Sequence, residues 1–252
     1  MDYINNFKLD ISFWTGFYED DCNDSYDCIS WASNKAYLDM NRTMTFSDVP
    51  QNDTQGEMHR IDEQRKVWRD NGTKHIRKGI MENTDDFKVW HRDVCRKLIG
   101  IYGSDKLVQR VKNKRSEQKV KLTYGQAQKW LNMTLKYLWL LNRLKLITDE
   151  NTSAFIQKHE KLFHVPLDSY ILRYVAKIDK NKKDKFRLSN ENGLDMSIDF
   201  SRFWQMFGSA WSQIDDENEY YKYQEELAKS IKKISPLEWE LVHWHKAIRF
   251  YG

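Results

Sequence analysis

The sequence contains few of the residues that interrupt regular structure, with only 10 glycines and 3 prolines in 252 residues. Folds rich in β-structure need more turn residues than this, so the scarcity predicts a mainly α-helical protein. Hydrophobic residues make up 40% of the chain, a composition typical of a globular domain. We expect one helical domain over 1–252, or two lobes at about 84–178 and at about 1–83 with the C-terminal helices.

Cysteine is also scarce, and Cys22, Cys28 and Cys95 are the only three. An odd, sparse count argues against a disulfide scaffold and favours a reducing cytoplasm. Three cysteines cannot provide the four ligands of an iron–sulfur cluster. Because no further cysteine or histidine stands at ligand spacing near Cys22 and Cys28, we predict neither a metal nor another cofactor.

Long apolar runs and a strong charge imbalance are missing as well. No apolar run approaches the about 18 residues of a membrane span, and the N-terminus resembles no signal peptide. The net charge of +4 permits a nucleic-acid partner without demanding one. We therefore expect a cytoplasmic monomer with no membrane association.

The strongest pattern in the chain lies between Gln126 and Leu146, which contains no proline or glycine. Apolar residues recur there at helical spacing around most of the circumference, so the pattern predicts a long helix that is buried on nearly all sides. Gly125 stands at its start, where we expect a tight turn with a positive φ and free amides able to hold a phosphate. Weaker periodicity predicts further helices over 27–41, 57–82 and 84–103.

Two charged residues stand at unusual places around this helix. Lys129 lies in its first turns, where a cation opposes the helix dipole, so helix stability does not explain the choice. Asp168 follows Pro166 and precedes an apolar run, which makes it a good N-cap for a following helix. A lysine that reaches solvent and an aspartate that only caps a helix are the structural alternatives to a functional pair.

The segments Gly125-Gln126-Ala127-Gln128-Lys129 and Val165-Pro166-Leu167-Asp168 together resemble the helix-hairpin-helix superfamily of DNA glycosylases, of the endonuclease III and 8-oxoguanine glycosylase type. That family carries a hairpin of the form Gly-x-Gly-x-Lys, then a buried helix, then an apolar-Pro-apolar-Asp segment. The chain departs from it at the second hairpin glycine, which is Ala127, and in the 39-residue step from Lys129 to Asp168, which is longer than usual.

The resemblance implies a helical glycosylase-like fold with a helix-hairpin-helix motif and an active site between two helical lobes. It implies an enzyme that flips a damaged or modified base out of duplex or single-stranded DNA and excises it. Lys129 would attack the sugar C1′, and Asp168 would stabilise the positive charge that develops on the sugar. A Schiff base at Lys129 would add AP-lyase activity. Base-excision repair and defence against phages with modified DNA both suit this chemistry.

Two further groups of residues are predicted around this pair. The first group would hold the DNA backbone, and it consists of Gly125, Gln126, Ala127, Gln128, Lys119, Lys121 and Ser169. The second would supply the walls of a base pocket, and it consists of Met133, Trp204, Trp211, Trp239 and Trp244. An aromatic stripe at helical spacing is more often part of a core, which is the alternative for the second group.

The segment ahead of Gly125 is predicted as a helix from Ser104 to Val111 followed by a basic loop over 112–121. This loop would either contact DNA or serve as a solvated surface. Two other functions stay open from the sequence. One is a non-catalytic DNA-binding protein that uses the same hairpin, and the other is a helical protein in which Lys129 and Asp168 are purely structural.

Overall fold

The computed structural model describes residues 27–41, 43–44, 55–82, 84–102, 107–111, 114–176, 194, 200–208, 210–231 and 234–251. These ranges contain nine α-helices and a two-stranded sheet, so the prediction of a mainly α-helical protein is confirmed. In chain order the elements are α1 (Cys28–Asn41), α2 (Gln55–Met81), α3 (Phe87–Tyr102), β1 (Leu107–Val111), β2 (Lys114–Val120), α4 (Tyr124–Arg143), α5 (Glu150–His159), α6 (Ser169–Ala176), α7 (Ser201–Phe207), α8 (Glu217–Ser230) and α9 (Pro236–Tyr251). None of these helices combines the length and apolar character needed to cross a bilayer.

Helix α4 is the central element, and every residue from Tyr124 to Lys136 is buried. It packs against α1 and α3, which cover two of its sides. At its middle, Trp130 Nε1 donates a hydrogen bond to the carbonyl oxygen of Ser33 at 3.0 Å. The same indole ring lies on Gly72 of α2, where an added Cβ would come within 2.0 Å of it. The predicted long buried helix is confirmed, and its apolar circumference is explained by neighbours on several sides.

The start of α4 differs from the predicted tight turn. Thr123 and Gln126 form a capping box, in which each side chain accepts a hydrogen bond from the backbone N–H of the other at 3.1 Å. Such caps contribute about 1 kcal/mol. Gly125 lies inside the first helical turn, and Gly208 is the glycine with a positive φ among the described residues. The expected positive φ at Gly125 is therefore wrong.

The segment ahead of α4 is a β-ribbon, which corrects the predicted helix and loop. Strands β1 and β2 pair antiparallel, with Leu107 opposite Val120 and Arg110 opposite Arg115. The β-branched residues of this segment favour extended structure, and Leu107 and Val120 pack against the core. A strand therefore occupies the place of the first helix of a helix-hairpin-helix motif. The proposed division into two lobes stays a prediction.

The segment between α5 and α6 brings Asp168 close to α4. After a 3-10 turn at Glu160–Leu162 the backbone is extended, and Val165, Pro166 and Leu167 are buried. Helix α6 then packs against α9 and α7. The N-terminus of α6 is thereby held close to the face of α4 that carries Lys129.

Candidate functional site

Lys129 and Asp168 meet in the structure. Lys129 Nζ lies 3.7 Å from Asp168 Oδ2, and the two side chains are 9% and 17% exposed. This separation is within ion-pair range but longer than an ordinary N–H···O hydrogen bond, so the amine is not locked onto the carboxylate. Helices α4 and α6 therefore bring together the two residues that the resemblance places in catalysis, and their chemical roles stay a prediction.

The carboxylate of Asp168 is oriented by two further donors. Its Oδ1 accepts a hydrogen bond from the backbone N–H of Ile171 at 2.8 Å, which caps α6. Its Oδ2 accepts from Trp244 Nε1 at 3.1 Å. The same side chain is thus an N-cap and a partner of Lys129, so the structural and functional interpretations of Asp168 are compatible.

Two tryptophans flank the pair. Lys129 Nζ lies 5.7 Å from the ring centroid of Trp211, at cation–π distance, and Trp244 contacts the carboxylate. Both indoles are partly exposed, whereas Met133, one turn after Lys129, is buried. The ring of Trp211 therefore lies beside the amine and the indole of Trp244 beside the carboxylate, and the roles of Trp211, Trp244 and Met133 in a base pocket stay predictions.

The other two predicted pocket tryptophans lie elsewhere. Trp239 is 1% exposed and packs against Tyr174 and His243, so its prediction as a pocket wall is wrong because the core encloses the ring. Trp204 packs against the hydrophobic core from α7. Its role in a base pocket stays a prediction.

A second buried ion pair, which the sequence interpretation missed, lies on the same face of α4. Lys136 Nζ is 2.6 Å from Glu240 Oε2, and the Glu240 side chain is 2% exposed. The Trp244 ring lies 5.8 Å from Lys136 Nζ, so this tryptophan stands between the two pairs. The sequence could have indicated that Lys136 belongs to this site, because residues 129 and 136 are about two helical turns apart and therefore share a face of α4.

The amides at the start of α4 are already engaged by the chain. Gly125 N–H donates to the carbonyl oxygen of Ile214 at 2.6 Å, and Ala127 N–H donates to that of Thr123 at 3.1 Å. The backbone N–H of Gln126 is taken by the capping box, and Gln128 is fully buried. The predicted phosphate contacts of Gly125, Gln126, Ala127 and Gln128 are therefore wrong for this structure, because no free row of amides faces solvent there.

The remaining residues predicted to contact DNA are at the edge of this region. Lys121 is exposed, with Nζ 3.7 Å from Asp215 Oδ2. Ser169 is the first residue of α6 and is half-buried. Lys119 lies in β2 opposite Val108, and its side chain is outside the described part of the structure. Their contacts with DNA stay predictions.

A buried polar network connects α4 to the segment that carries Asp168. Asn132 Nδ2 donates to Tyr220 Oη at 2.8 Å, and that hydroxyl is 2.9 Å from His164 Nδ1. Next along the chain, Gln224 accepts from Val165 N–H at 3.1 Å and donates to the Val165 carbonyl at 2.8 Å. Helix α8 thereby fixes the backbone immediately before Asp168.

The histidines of this network have lowered pKa values because they are buried. Burial lowers the pKa of His91 to about 4, although its hydrogen bond to Asn132 acts in the opposite direction. Burial, together with the neighbouring His91 and Lys88, also lowers the pKa of His164 well below its usual value. Asn132 Oδ1 accepts from His91 Nε2 at 2.8 Å, so Nδ1 of that ring accepts from Tyr221 at 2.7 Å.

An open cavity of about 520 Å³ lies at a different place, and it is lined by residues 85–88 at the start of α3, residues 161–164, one face of α8 and Pro236. Neither Lys129 nor Asp168 lines it. In the part of the chain that the structure describes, no group of three or more histidine, cysteine or acidic side chains is arranged to hold a metal. No family model, curated protein or solved structure matches this chain.

Proposed function

We propose that the protein is a DNA N-glycosylase that removes a damaged or modified base, with an accompanying AP-lyase step. The observation that carries this proposal is the 3.7 Å approach of Lys129 Nζ to Asp168 Oδ2 in a largely buried site beside two tryptophans. An amine, a carboxylate and flat apolar walls are the groups that a lysine-dependent glycosylase needs. We propose that it acts in the cytoplasm as a monomer, without a metal or other cofactor.

In the proposed reaction, Asp168 takes a proton from the ammonium group of Lys129. The free amine then donates its electron pair to C1′ of the flipped nucleotide, and the C1′–N bond breaks with its electrons leaving on the base. The base takes the proton that Asp168 had accepted, which returns Asp168 to its carboxylate form. The carboxylate faces the positive charge that develops on the sugar and stabilises it. Opening of the sugar gives a Schiff base at Lys129, from which β-elimination cuts the strand.

The second ion pair suggests how the base would be recognised. Residues 129 and 136 lie about 10 Å apart along α4 at the standard rise of a helix. A base attached to a sugar at Lys129 and lying beside Trp244 would direct its far edge towards Lys136 and Glu240. A carboxylate accepts from base N–H groups and an ammonium group donates to a base carbonyl. We therefore propose a substrate with adjacent N–H and C=O groups, as in guanine-type or uracil-type bases.

Covalent trapping with borohydride tests the proposal. Wild type, Lys129→Gln and Asp168→Asn would be incubated with duplex and single-stranded DNA that carries damaged or hypermodified bases, and Lys222→Gln is the matched control. Asn is a competent N-cap, so Asp168→Asn removes the charge and keeps the cap. We expect an adduct with wild type and the control, and none with Lys129→Gln.

Other outcomes are equally informative. Base release that survives in Lys129→Gln but is lost in Asp168→Asn would mean that water, not the amine, attacks the sugar. Absence of release from every substrate, with DNA binding retained, would favour a non-catalytic DNA-binding protein. Absence of both would leave the pair with a structural role.

A further inference from the structure

The β-ribbon and the residue that follows it form a segment with a high net positive charge. The segment 107–121 has one acidic residue, Glu117, and six basic residues, which are Arg110, Lys112, Lys114, Arg115, Lys119 and Lys121. This excess of five positive charges is larger than the +4 of the complete chain, so the charges of the remaining residues sum to −1. The mild overall charge therefore conceals a strongly basic segment directly ahead of α4.

The root of the ribbon is fixed to the body of the protein. Leu107 is 2% exposed, and Val120, its partner across the ribbon, packs against the hydrophobic core. Strand β2 then extends over seven residues, about 23 Å at the usual rise of a strand. After Val120 only three residues separate the ribbon from α4, the helix that carries Lys129.

The register of the ribbon places one basic residue opposite another. Arg110 is paired with Arg115, and the neighbouring pair is Val111 with Lys114. Both strands therefore contribute basic residues, and Glu117 is the one acidic residue among them. This composition suits a negatively charged partner.

We infer that the ribbon binds the sugar–phosphate backbone of duplex DNA and holds the duplex next to the start of α4. A two-stranded ribbon fits the major groove, which is about 12 Å wide. The segment 107–121 contains no aromatic residue, so it lacks the apolar anchors that favour a membrane surface. This inference takes its partner from the proposed function, and it does not depend on the excision chemistry.

The test is the salt dependence of binding to an unmodified 20-base-pair duplex, measured by fluorescence anisotropy. The ribbon variant replaces Arg110, Lys114, Arg115 and Lys119 with Gln. The matched control replaces four exposed lysines outside the ribbon, Lys74, Lys158, Lys222 and Lys229, with Gln and changes the net charge equally. Since each phosphate contact contributes about 0.9 to the slope of log K against log salt, the ribbon variant should lose three to four units of slope and the control almost none.

Equal slopes for the ribbon variant and the control would overturn the inference. So would retained DNA binding together with a selective loss of binding to phosphatidylserine vesicles, which would assign the ribbon to a membrane. If the fourfold variant does not fold, Lys114→Gln and Lys119→Gln separately should each remove about 0.9 of slope. A loss of slope in a protein that forms no covalent DNA adduct and releases no base would refute the proposed function and leave the ribbon inference standing.

Discussion

Trp244 donates a hydrogen bond from Nε1 to Asp168 Oδ2 at 3.1 Å, on the same oxygen that faces Lys129. One side chain of α9 therefore orients the carboxylate of α6 towards the amine of α4. The indole ring also stands beside Lys136, so it borders both ion pairs of the site. Trp244 thus links three helices at the place where the proposed chemistry occurs.

Replacing Trp244 with Phe should keep the apolar wall and remove the hydrogen bond to Asp168. We expect the rate of adduct formation to fall about tenfold, which corresponds to a lost hydrogen bond of about 1.4 kcal/mol to a charged group. Single-turnover trapping would measure this rate. The control is Trp139→Phe, which removes a comparable indole bond to Glu160 at 3.2 Å. An unchanged rate in Trp244→Phe would show that this hydrogen bond does not orient the carboxylate for the reaction.

Replacing only one partner of the ion pair between Lys136 and Glu240 should strongly destabilise the protein. Lys136→Met leaves a buried carboxylate without its partner, so we expect a loss of about 3–5 kcal/mol in the free energy of unfolding. Arg143→Met, which removes a more exposed pair with Glu160, should cost about 1 kcal/mol or less. Urea denaturation measures both.

The double variant Lys136→Met/Glu240→Leu should recover most of this stability, because two apolar side chains replace the buried charges. If Lys136 and Glu240 form hydrogen bonds with the edge of the base, the double variant should no longer prefer bases with adjacent N–H and C=O groups when it is trapped with borohydride on DNA that carries different bases. A double variant that keeps its base preference would remove Lys136 and Glu240 from recognition.

Substitution of Gly125 by any residue with a side chain should destabilise the protein, because the backbone of the 211–214 turn lies too close and not because of the backbone angles of Gly125. A Cβ at this position would lie 1.9 Å from the carbonyl oxygen of Trp211. Gly125→Ala should therefore displace the 211–214 turn, lower the free energy of unfolding by about 2 kcal/mol and slow trapping. Gly100→Ala is the control, since nothing lies within 4 Å of its Cβ, and it should stabilise α3 by about 0.5–1 kcal/mol. Thermal melts of the two variants should shift in opposite directions.

Stability should fall in mild acid because three histidines are held neutral. Burial lowers the pKa of His91 and of His243 to about 4 and that of His164 well below its usual value of 6.5. The unfolded chain then binds more protons than the folded one below pH 6.5, so stability is complete above that pH and is lost as the pH falls towards 4. Each histidine contributes up to about 1.4 kcal/mol per pH unit.

Urea midpoints between pH 8 and pH 4 measure this dependence. In His91→Gln, the glutamine amide can still donate a hydrogen bond to Asn132. The free energy of unfolding of this variant should change less steeply with pH, because the contribution of one histidine is missing. An identical pH dependence in wild type and His91→Gln would show that His91 is not protonated on unfolding in this range.

Local patterns in the sequence predicted α4 well, because a run of apolar residues at helical spacing specifies a buried helix without reference to the rest of the chain. The approach of Lys129 to Asp168 was anticipated only through a family resemblance, since no local pattern joins residues 39 positions apart. The β-ribbon was predicted as a helix and a loop because lysine and arginine occur on the surfaces of helices, strands and loops alike, so a segment rich in them does not indicate which of the three it forms.

Other features depend on contacts between distant parts of the chain. The partner of Lys136 comes from α9, and the tight approach at Gly125 comes from the 211–214 turn. Trp239 and Trp244 are five residues apart on one helix, yet one is enclosed by the core and the other borders the site. Periodicity identifies the helix but not which of its faces meets α4, so the tryptophans could not be sorted in advance.

Asp168 caps α6 with one carboxylate oxygen and faces Lys129 with the other, so the charge pair exists only while the first turn of this eight-residue helix is folded. A short helix opens at a lower free-energy cost than a long buried one such as α4. Local unfolding of the first turn of α6 at residue 169 would leave the amine of Lys129 in place but would remove the carboxylate of Asp168 from it. On warming, activity should therefore disappear at a lower temperature than global unfolding. The temperature at which activity is lost would measure how stable the first turn of α6 is.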